Sequence, residues 1–207
     1  SESIYMNLYL GGQMEASAGD SKMLLEVDTE YPWNGKIKIT VSSAAGKALA
    51  LRMRIPGWCR KTEILYNGKK ADWEEEKGYA VLRENFQAQD TVEILFDMKA
   101  ELIAANPNVR ADIGKAAVMR GPLVYCLEEA DNGKDLHRIR IPEGVQFREQ
   151  TSSRLGGAVL LTCAGLRETE EGWKDGELSR PFRETEERQA TLTWIPYYAW
   201  ANRGEGE

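Results

Sequence analysis

The chain has 207 residues, 42% apolar and 29% charged, which is enough apolar material to bury the core of one large β domain or two ordinary ones. Its 27 basic and 33 acidic side chains leave a formal charge of -6, without the surplus of Lys and Arg that a phosphate backbone demands, so nucleic acid is not an expected partner. Nowhere do about 18 apolar residues run together, which argues against a membrane span.

From the N-terminus, Ile4, Met6, Leu8 and Leu10 alternate with Tyr5, Asn7 and Tyr9, the period of two that predicts a half-buried strand. The same period returns at Ile37, Ile39 and Val41, and again at Leu49, Leu51, Met53 and Ile55 against Arg52 and Arg54. Further strands are expected over 63–66, 79–83, 91–98, 116–120, 123–127, 137–141, 145–148, 159–163 and 190–194, and no segment makes a long amphipathic helix. Asn34-Gly35 and Asn67-Gly68 fall between alternating runs. A two-residue hairpin turn needs positive φ at both centres, and Asn and Gly supply it at little cost, so both dipeptides predict hairpins.

Many short strands without intervening helices predict an all-β fold of two antiparallel, jelly-roll-like β-sandwich domains. The first domain is expected over 1–100 and the second over 101–207. Asn106-Pro107-Asn108 interrupts the alternation nearby, and Pro107 is expected in the interdomain connection because it cannot donate to a central ladder. From Glu168 to Arg188, eight acidic residues face four basic ones, the composition of a solvated loop or exposed hairpin.

Catalytic constellations are thin. Cys59, Cys126 and Cys163 are dispersed with no Cys-x-x-Cys pair, and His137 is the one histidine, so no compact zinc pattern forms and neither a metal nor a cofactor is expected within this chain. A Ser or Cys nucleophile would have to recruit His137, which reads as a surface strand residue. Glu74-Glu75-Glu76, Glu128-Glu129 and Glu186-Glu187 read as solvated turns, whereas a glycosidic general acid needs a pKa raised by burial. No Gly-rich phosphate loop is present. The six tryptophans, Trp33, Trp58, Trp73, Trp173, Trp194 and Trp200, suit cores and interfaces, with Trp58 placed to cap a sandwich edge; the alternative is a sugar-stacking surface. An odd count of unpaired cysteines and an opening that lacks the basic and apolar regions of a secretion signal make the cytoplasm the expected location.

Four segments taken together resemble a known family. They are Leu51-Arg52-Met53-Arg54-Ile55-Pro56-Gly57-Trp58, then Ala105-Asn106-Pro107-Asn108-Val109-Arg110-Ala111-Asp112 leading to Lys115, then Arg120-Gly121-Pro122-Leu123-Val124-Tyr125-Cys126-Leu127-Glu128, and finally Ile195-Pro196-Tyr197-Tyr198-Ala199-Trp200-Ala201-Asn202-Arg203-Gly204. In this order the chain resembles the C-terminal region of the β-L-arabinofuranosidase family, glycoside hydrolase family 127. The resemblance implies a parent enzyme in which an (α/α)6 barrel precedes β-sandwich domains, and a zinc site of cysteines and a glutamate in that barrel, one cysteine being the nucleophile. It places those residues upstream, before the strand that begins at Ile4, and assigns none of them to Cys59, Cys126 or Cys163; Cys126 is expected to be a buried structural thiol. It also implies a terminal strand beyond the closing Gly-Glu-Gly-Glu.

The expected role is therefore that of a non-catalytic scaffold whose partner is its own barrel, with a carbohydrate-binding module, taking an oligosaccharide on surface aromatics, as the alternative. An apolar docking patch is expected at Tyr31-Pro32-Trp33 or Tyr197-Tyr198-Ala199-Trp200, with homodimerisation through it as a consequence of isolation.

Overall fold

The computed structural model describes residues 3–19, 21–43, 48–182 and 185–203. The chain is all-β and divides into two compact units, Ser1–Lys99 and Ala100–Glu207. Among the described residues no helix is long and apolar enough to cross a membrane.

The first unit is built from β1 (Ser3–Met6), β2 (Gly12–Ala18), β3 (Ser21–Thr29), β4 (Lys36–Ser43), β5 (Leu49–Arg54), β6 (Thr62–Tyr66), β7 (Lys69–Lys70), β8 (Glu74–Glu76), β9 (Tyr79–Glu84) and β10 (Thr91–Phe96). They form a four-stranded sheet, β1-β5-β9-β8, and a six-stranded sheet, β2-β3-β4-β10-β6-β7. All neighbours are antiparallel except β1 and β5. Alternation along each strand aims one face inward: Ile4 and Met6, Leu49, Leu51 and Met53, and Leu82 come from one sheet; Leu25, Ile37, Ile39, Ile64 and Ile94 come from the other. Trp58 closes one end of this core, parallel to Tyr31 at 6.4 Å between centroids and edge-on to Phe96 at 5.8 Å.

Two local expectations for this unit are corrected and one holds. The first strand stops at Met6, and the alternation then changes phase: Tyr9 is buried at 4% exposure while Leu8 and Leu10 are 69% and 73% exposed. The phase changes because the Tyr9 hydroxyl donates to the Arg54 carbonyl at 2.6 Å, a polar tether that an apolar count does not register. Asn67-Gly68 is the expected two-residue hairpin, with φ of 50° and 74° between paired Tyr66 and Lys69. Asn34-Gly35 is not. There β3 and β4 are joined by a longer connection in which Trp33 N and Asn34 N both donate to Glu30 O, and neither Asn34 nor Gly35 has positive φ. Gly35 is required for close approach instead: a Cβ there would lie 2.2 Å from the Phe96 carbonyl oxygen.

The second unit contains β11 (Ala100–Ala104), β12 (Ala116–Arg120), β13 (Leu123–Leu127), the single-turn helix α1 (Glu129–Asn132), β14 (Ile139–Arg140), β15 (Arg148–Ser152), β16 (Ala158–Glu168) and β17 (Glu187–Pro196). One sheet runs β11-β12-β13-β17-β16-β14. The long β16 pairs with β17 along one edge, and its other edge takes β15 at Ala158–Thr162 and β14 at Leu166–Arg167. Val118, Tyr125, Leu161, Cys163, Leu192 and Trp194 form the buried cluster. Its polar atoms are satisfied inside it: Tyr125 donates to the Val159 carbonyl at 2.9 Å, and Trp194 Nε1 donates to Cys163 Sγ at 3.4 Å.

Two strand expectations shift here. Residues 136–138 form a 3-10 turn entered from Asp135 at φ 60°, so the strand starts at Ile139 rather than His137. The strand expected over 145–148 begins at Arg148. Pro107 does not connect the units: it lies between β11 and β12, inside the second unit.

Candidate functional surfaces

The residues that could carry chemistry are kept apart. Cys59 follows β5, where its thiol donates to the Lys61 carbonyl at 3.0 Å; Cys126 is on β13 and Cys163 on β16. Burial pushes the Cys126 thiol up to about 11, with Glu128 adding to the rise, and burial also raises Cys163. Such thiols stay protonated at neutral pH and are poor nucleophiles or metal ligands. Cys126 also departs from the expectation of a buried core thiol: it is half-buried, and Tyr125 beside it points into the core. His137 is exposed, on the 3-10 turn rather than on a strand. Among the described residues no three His, Cys, Asp or Glu side chains converge as metal ligands.

Several of the carboxylates singled out in the sequence are paired with arginines. Glu74 and Glu76 are not in a turn but on the edge strand β8, where Arg83 bridges both. Arg52 donates to Glu76 at 2.8 Å and to Ser3 Oγ at 3.2 Å while its guanidinium sits 5.6 Å from the Tyr5 ring. Hydrogen bonds from Arg83 and then Arg52 hold the Glu76 carboxyl below the usual range, the opposite of what a general acid needs.

Glu128 overturns the reading of Glu128-Glu129 as a solvated turn. It is buried at 5% exposure, and it is the one buried charged residue among those described. Its Oε1 accepts from Ala201 N at 2.7 Å, and its Oε2 accepts from Arg203 Nε at 2.9 Å and from Arg203 Nη2. Arg203 also grips Asp131, with Nη1 2.9 Å from Oδ1. These bonds hold the segment after β17 against the start of α1, and Asn132 extends them: its Nδ2 donates to the Glu128 and Thr193 carbonyls and its Oδ1 accepts from Thr193 N. Both carboxylate oxygens are occupied by this latch, so the geometry is structural. Sequence reasoning missed it because its partners are 73 and 75 residues away.

The latch presents an aromatic surface. Tyr197, Tyr198 and Trp200 are exposed while Ala199 between them is buried, and the Tyr197 and Trp200 rings are nearly parallel at 12° with centroids 5.9 Å apart. Trp33 is also exposed; Tyr31 is partly buried against the first core. The acidic stretch is the connection between β16 and β17. Arg138 pairs with Glu170, Arg140 with Glu168 and Glu187, and Arg180 lies 4.0 Å from the Trp173 ring; Arg138, Glu168, Glu170 and Trp173 line an open crease of about 720 Å³. Glu184 of that stretch, with Gly204 and the closing Gly-Glu-Gly-Glu, lies outside the described residues.

Comparison with known proteins places this arrangement among characterised ones. Residues 3–98 match the family model described as the beta-L-arabinofuranosidase GH127 middle domain, and residues 100–207 match the glycoside hydrolase family 127 C-terminal domain. A non-reducing end beta-L-arabinofuranosidase of Bifidobacterium longum subsp. longum is 37% identical over 201 residues, covering 90% of this chain and 30% of that protein. The crystal structure of Ara127N-Se, a GH127 beta-L-arabinofuranosidase from Geobacillus stearothermophilus T6, superposes with a TM-score of 0.91 at 39% identity over 100% of this chain and 33% of that one. A second GH127 beta-arabinofuranosidase, BT3674, gives 0.85 at 33% identity over 99% of this chain and 34% of its own. The chain thus spans about a third of the length of the relatives it matches.

Proposed function

The chain belongs to glycoside hydrolase family 127, and from that premise we propose that it is the non-catalytic β region of a β-L-arabinofuranosidase-like enzyme, a scaffold for an (α/α)6 catalytic barrel that holds the zinc. The observation that carries this reading is the end-to-end match to the family's middle and C-terminal domains by a chain whose Cys126 and Cys163 thiols are raised by burial and whose one buried carboxylate among the described residues is latched to Arg203. Three free thiols support a cytoplasmic location. The test is elemental analysis of the dialysed chain together with a chromogenic β-L-arabinofuranoside assay at high protein concentration. Neither stoichiometric zinc nor turnover is expected; one zinc per chain, or turnover abolished by Cys126→Ser, overturns the reading.

The nearly parallel, exposed Tyr197 and Trp200 rings favour a second reading, a sugar-binding surface that stacks a pyranose or furanose face on aromatic rings. Titration with arabinose-containing oligosaccharides separates the two: saturable binding lost in Trp200→Ala supports the module, and no binding supports the scaffold.

A further inference from the structure

The eleven residues between β11 and β12, 105–115, are all exposed, and so are the strand ends Ala104, Ala116 and Ala117 that flank them. Connections between strands are usually about four to six residues long, and binding residues concentrate on longer exposed ones. This one has a defined backbone path. Asn108 N donates to Asn106 Oδ1 at 2.9 Å, Val109 N to Asn106 O at 2.8 Å, Asp112 N to Val109 O at 3.1 Å and Lys115 N to Asp112 O at 3.0 Å, a chain of turns that includes the 3-10 turn Arg110–Asp112. The arm is therefore held by local hydrogen bonds while burying none of its side chains, and at its tip it exposes Val109 and Ile113, the latter by 69%. It projects from a hairpin whose first strand, β11, is the edge of its sheet.

A side chain left largely in solvent contributes little to the stability of its own domain, so the exposed apolar surface of Val109 and Ile113 gains most on contact with something else. An arm already ordered loses little conformational entropy when it docks. We propose that arm 104–117 docks on the catalytic portion of the same polypeptide, with Val109 and Ile113 as its apolar contacts and Arg110, Asp112 and Lys115 at the polar rim. This rests on the scaffold reading above. The occupant is argued from extent: the superposition of TM-score 0.91 takes in every residue of this chain, the arm included, and only 33% of the Geobacillus enzyme, so in that relative the region matching the arm shares a polypeptide with twice as much further protein. The arm's charge points the same way, because two cations and one anion interleaved with Val and Ile suit a mixed protein surface better than a phosphate-rich or lipid one.

The test compares the 207-residue chain with a chimera in which it replaces the matching third of the Geobacillus enzyme. Backbone amides of 105–115 are expected to exchange at least about tenfold more slowly in the chimera than in the free chain. The double variant Val109→Ser/Ile113→Ser should leave the thermal midpoint of the free chain unchanged while lowering that of the chimera. If the chimera protects other segments of this chain but not 105–115, and the double variant melts like its parent, the arm proposal is overturned and the scaffold reading stands. If no segment gains protection, both are overturned. If the free chain sediments as a dimer with the arm protected in it, the occupant is a second copy and the proposal is overturned.

Discussion

The two units solve the same problem with different means. In the first, two sheets face each other and, among the described residues, twenty buried side chains form one continuous cluster; in the second, the described residues of a single sheet give a buried cluster of six, backed by half-buried neighbours such as Leu102, Leu127, Ile139 and Phe147. What the second unit lacks in dry core it supplements with long-range polar ties: Glu128 to Arg203, Asn132 to Thr193, and Arg167 to the carbonyls of Asn132 and Asp135. Burial of apolar area is nondirectional and tolerates substitution by similar volumes, whereas each polar tie depends on one partner in one geometry. The first unit should therefore be most sensitive to lost volume and the second to lost partners.

The largest effect expected is at Leu51, fully buried on β5. Leu51→Ala should destabilise the first unit by about 3 kcal/mol through lost transfer energy and the cavity left behind, read by denaturant unfolding with hydrogen exchange to locate the loss. A loss near 1 kcal/mol would show that the core repacks freely and would weaken the contrast. Next is Arg203→Ala, which strands the Glu128 carboxylate in a buried position with Ala201 N as its remaining partner here. Because Arg203 is itself about a quarter exposed, the expected cost lies at the low end for a broken buried pair, about 2 to 3 kcal/mol, with faster exchange around α1 and the end of β17. No measurable loss would mean that the latch is ornamental to the second unit and that its small core suffices.

This difference also explains what was legible beforehand. Strict alternation at Ile37-Ile39-Val41 and Leu49-Leu51-Met53 reports directly which face is buried, and there sequence and structure agree. The signal fails where apolar content is low or unbroken: β2 carries only Met14, Ala16 and Ala18 on its inward face, and Met23-Leu24-Leu25 on β3 runs together, so neither strand was foreseen. It fails differently at Glu128, since nothing local distinguishes a latched carboxylate from a solvated one when the arginine that buries it lies 75 residues on. Pro107 misled for a related reason: a break in alternation marks a loop, and only topology tells a hairpin loop from an interdomain one.

A smaller effect sharpens the comparison from the other side, because the first unit has polar ties of its own, and one group of them turns on the Asp90 carboxylate. Asp90 accepts from Tyr66 Oη, from Gln87 N at 2.7 Å and from Asn67 Nδ2 at 2.9 Å. Burial alone would raise its pKa, but the bonds from Tyr66, the Gln87 N–H and Asn67 outweigh that and hold the carboxyl below its ordinary value. A depressed folded-state pKa contributes stability that is fully present above the unfolded value, about 4, and is lost as pH falls through the folded one. Asp90→Asn should thus cost about 2 kcal/mol at pH 7 and flatten the acid limb of the stability curve. An unchanged acid limb would assign that pH dependence to other carboxylates.

The smallest effect expected, at Gly68, separates two uses of one dipeptide. Asn67-Gly68 turns the chain between β6 and β7 in left-handed geometry, and Asn67 is tied to the start of β10 by its own N–H to Thr91 O at 2.9 Å and by its Oδ1, which accepts from Thr91 N at 2.8 Å. A Cβ added at Gly68 meets nothing within 4 Å, so Gly68→Ala tests backbone conformation alone, at φ +74°. The left-handed region costs an L-residue about 1 kcal/mol, and that is the loss expected on unfolding Gly68→Ala. Gly68→Asn should recover part of it, since Asn visits this region readily. At Gly35 the conformation is ordinary and the obstacle is the Phe96 carbonyl, so Gly35→Asn should recover nothing relative to Gly35→Ala. Recovery at both sites, or at neither, would mean that the two glycines are held for the same reason and that the distinction drawn from their surroundings is wrong.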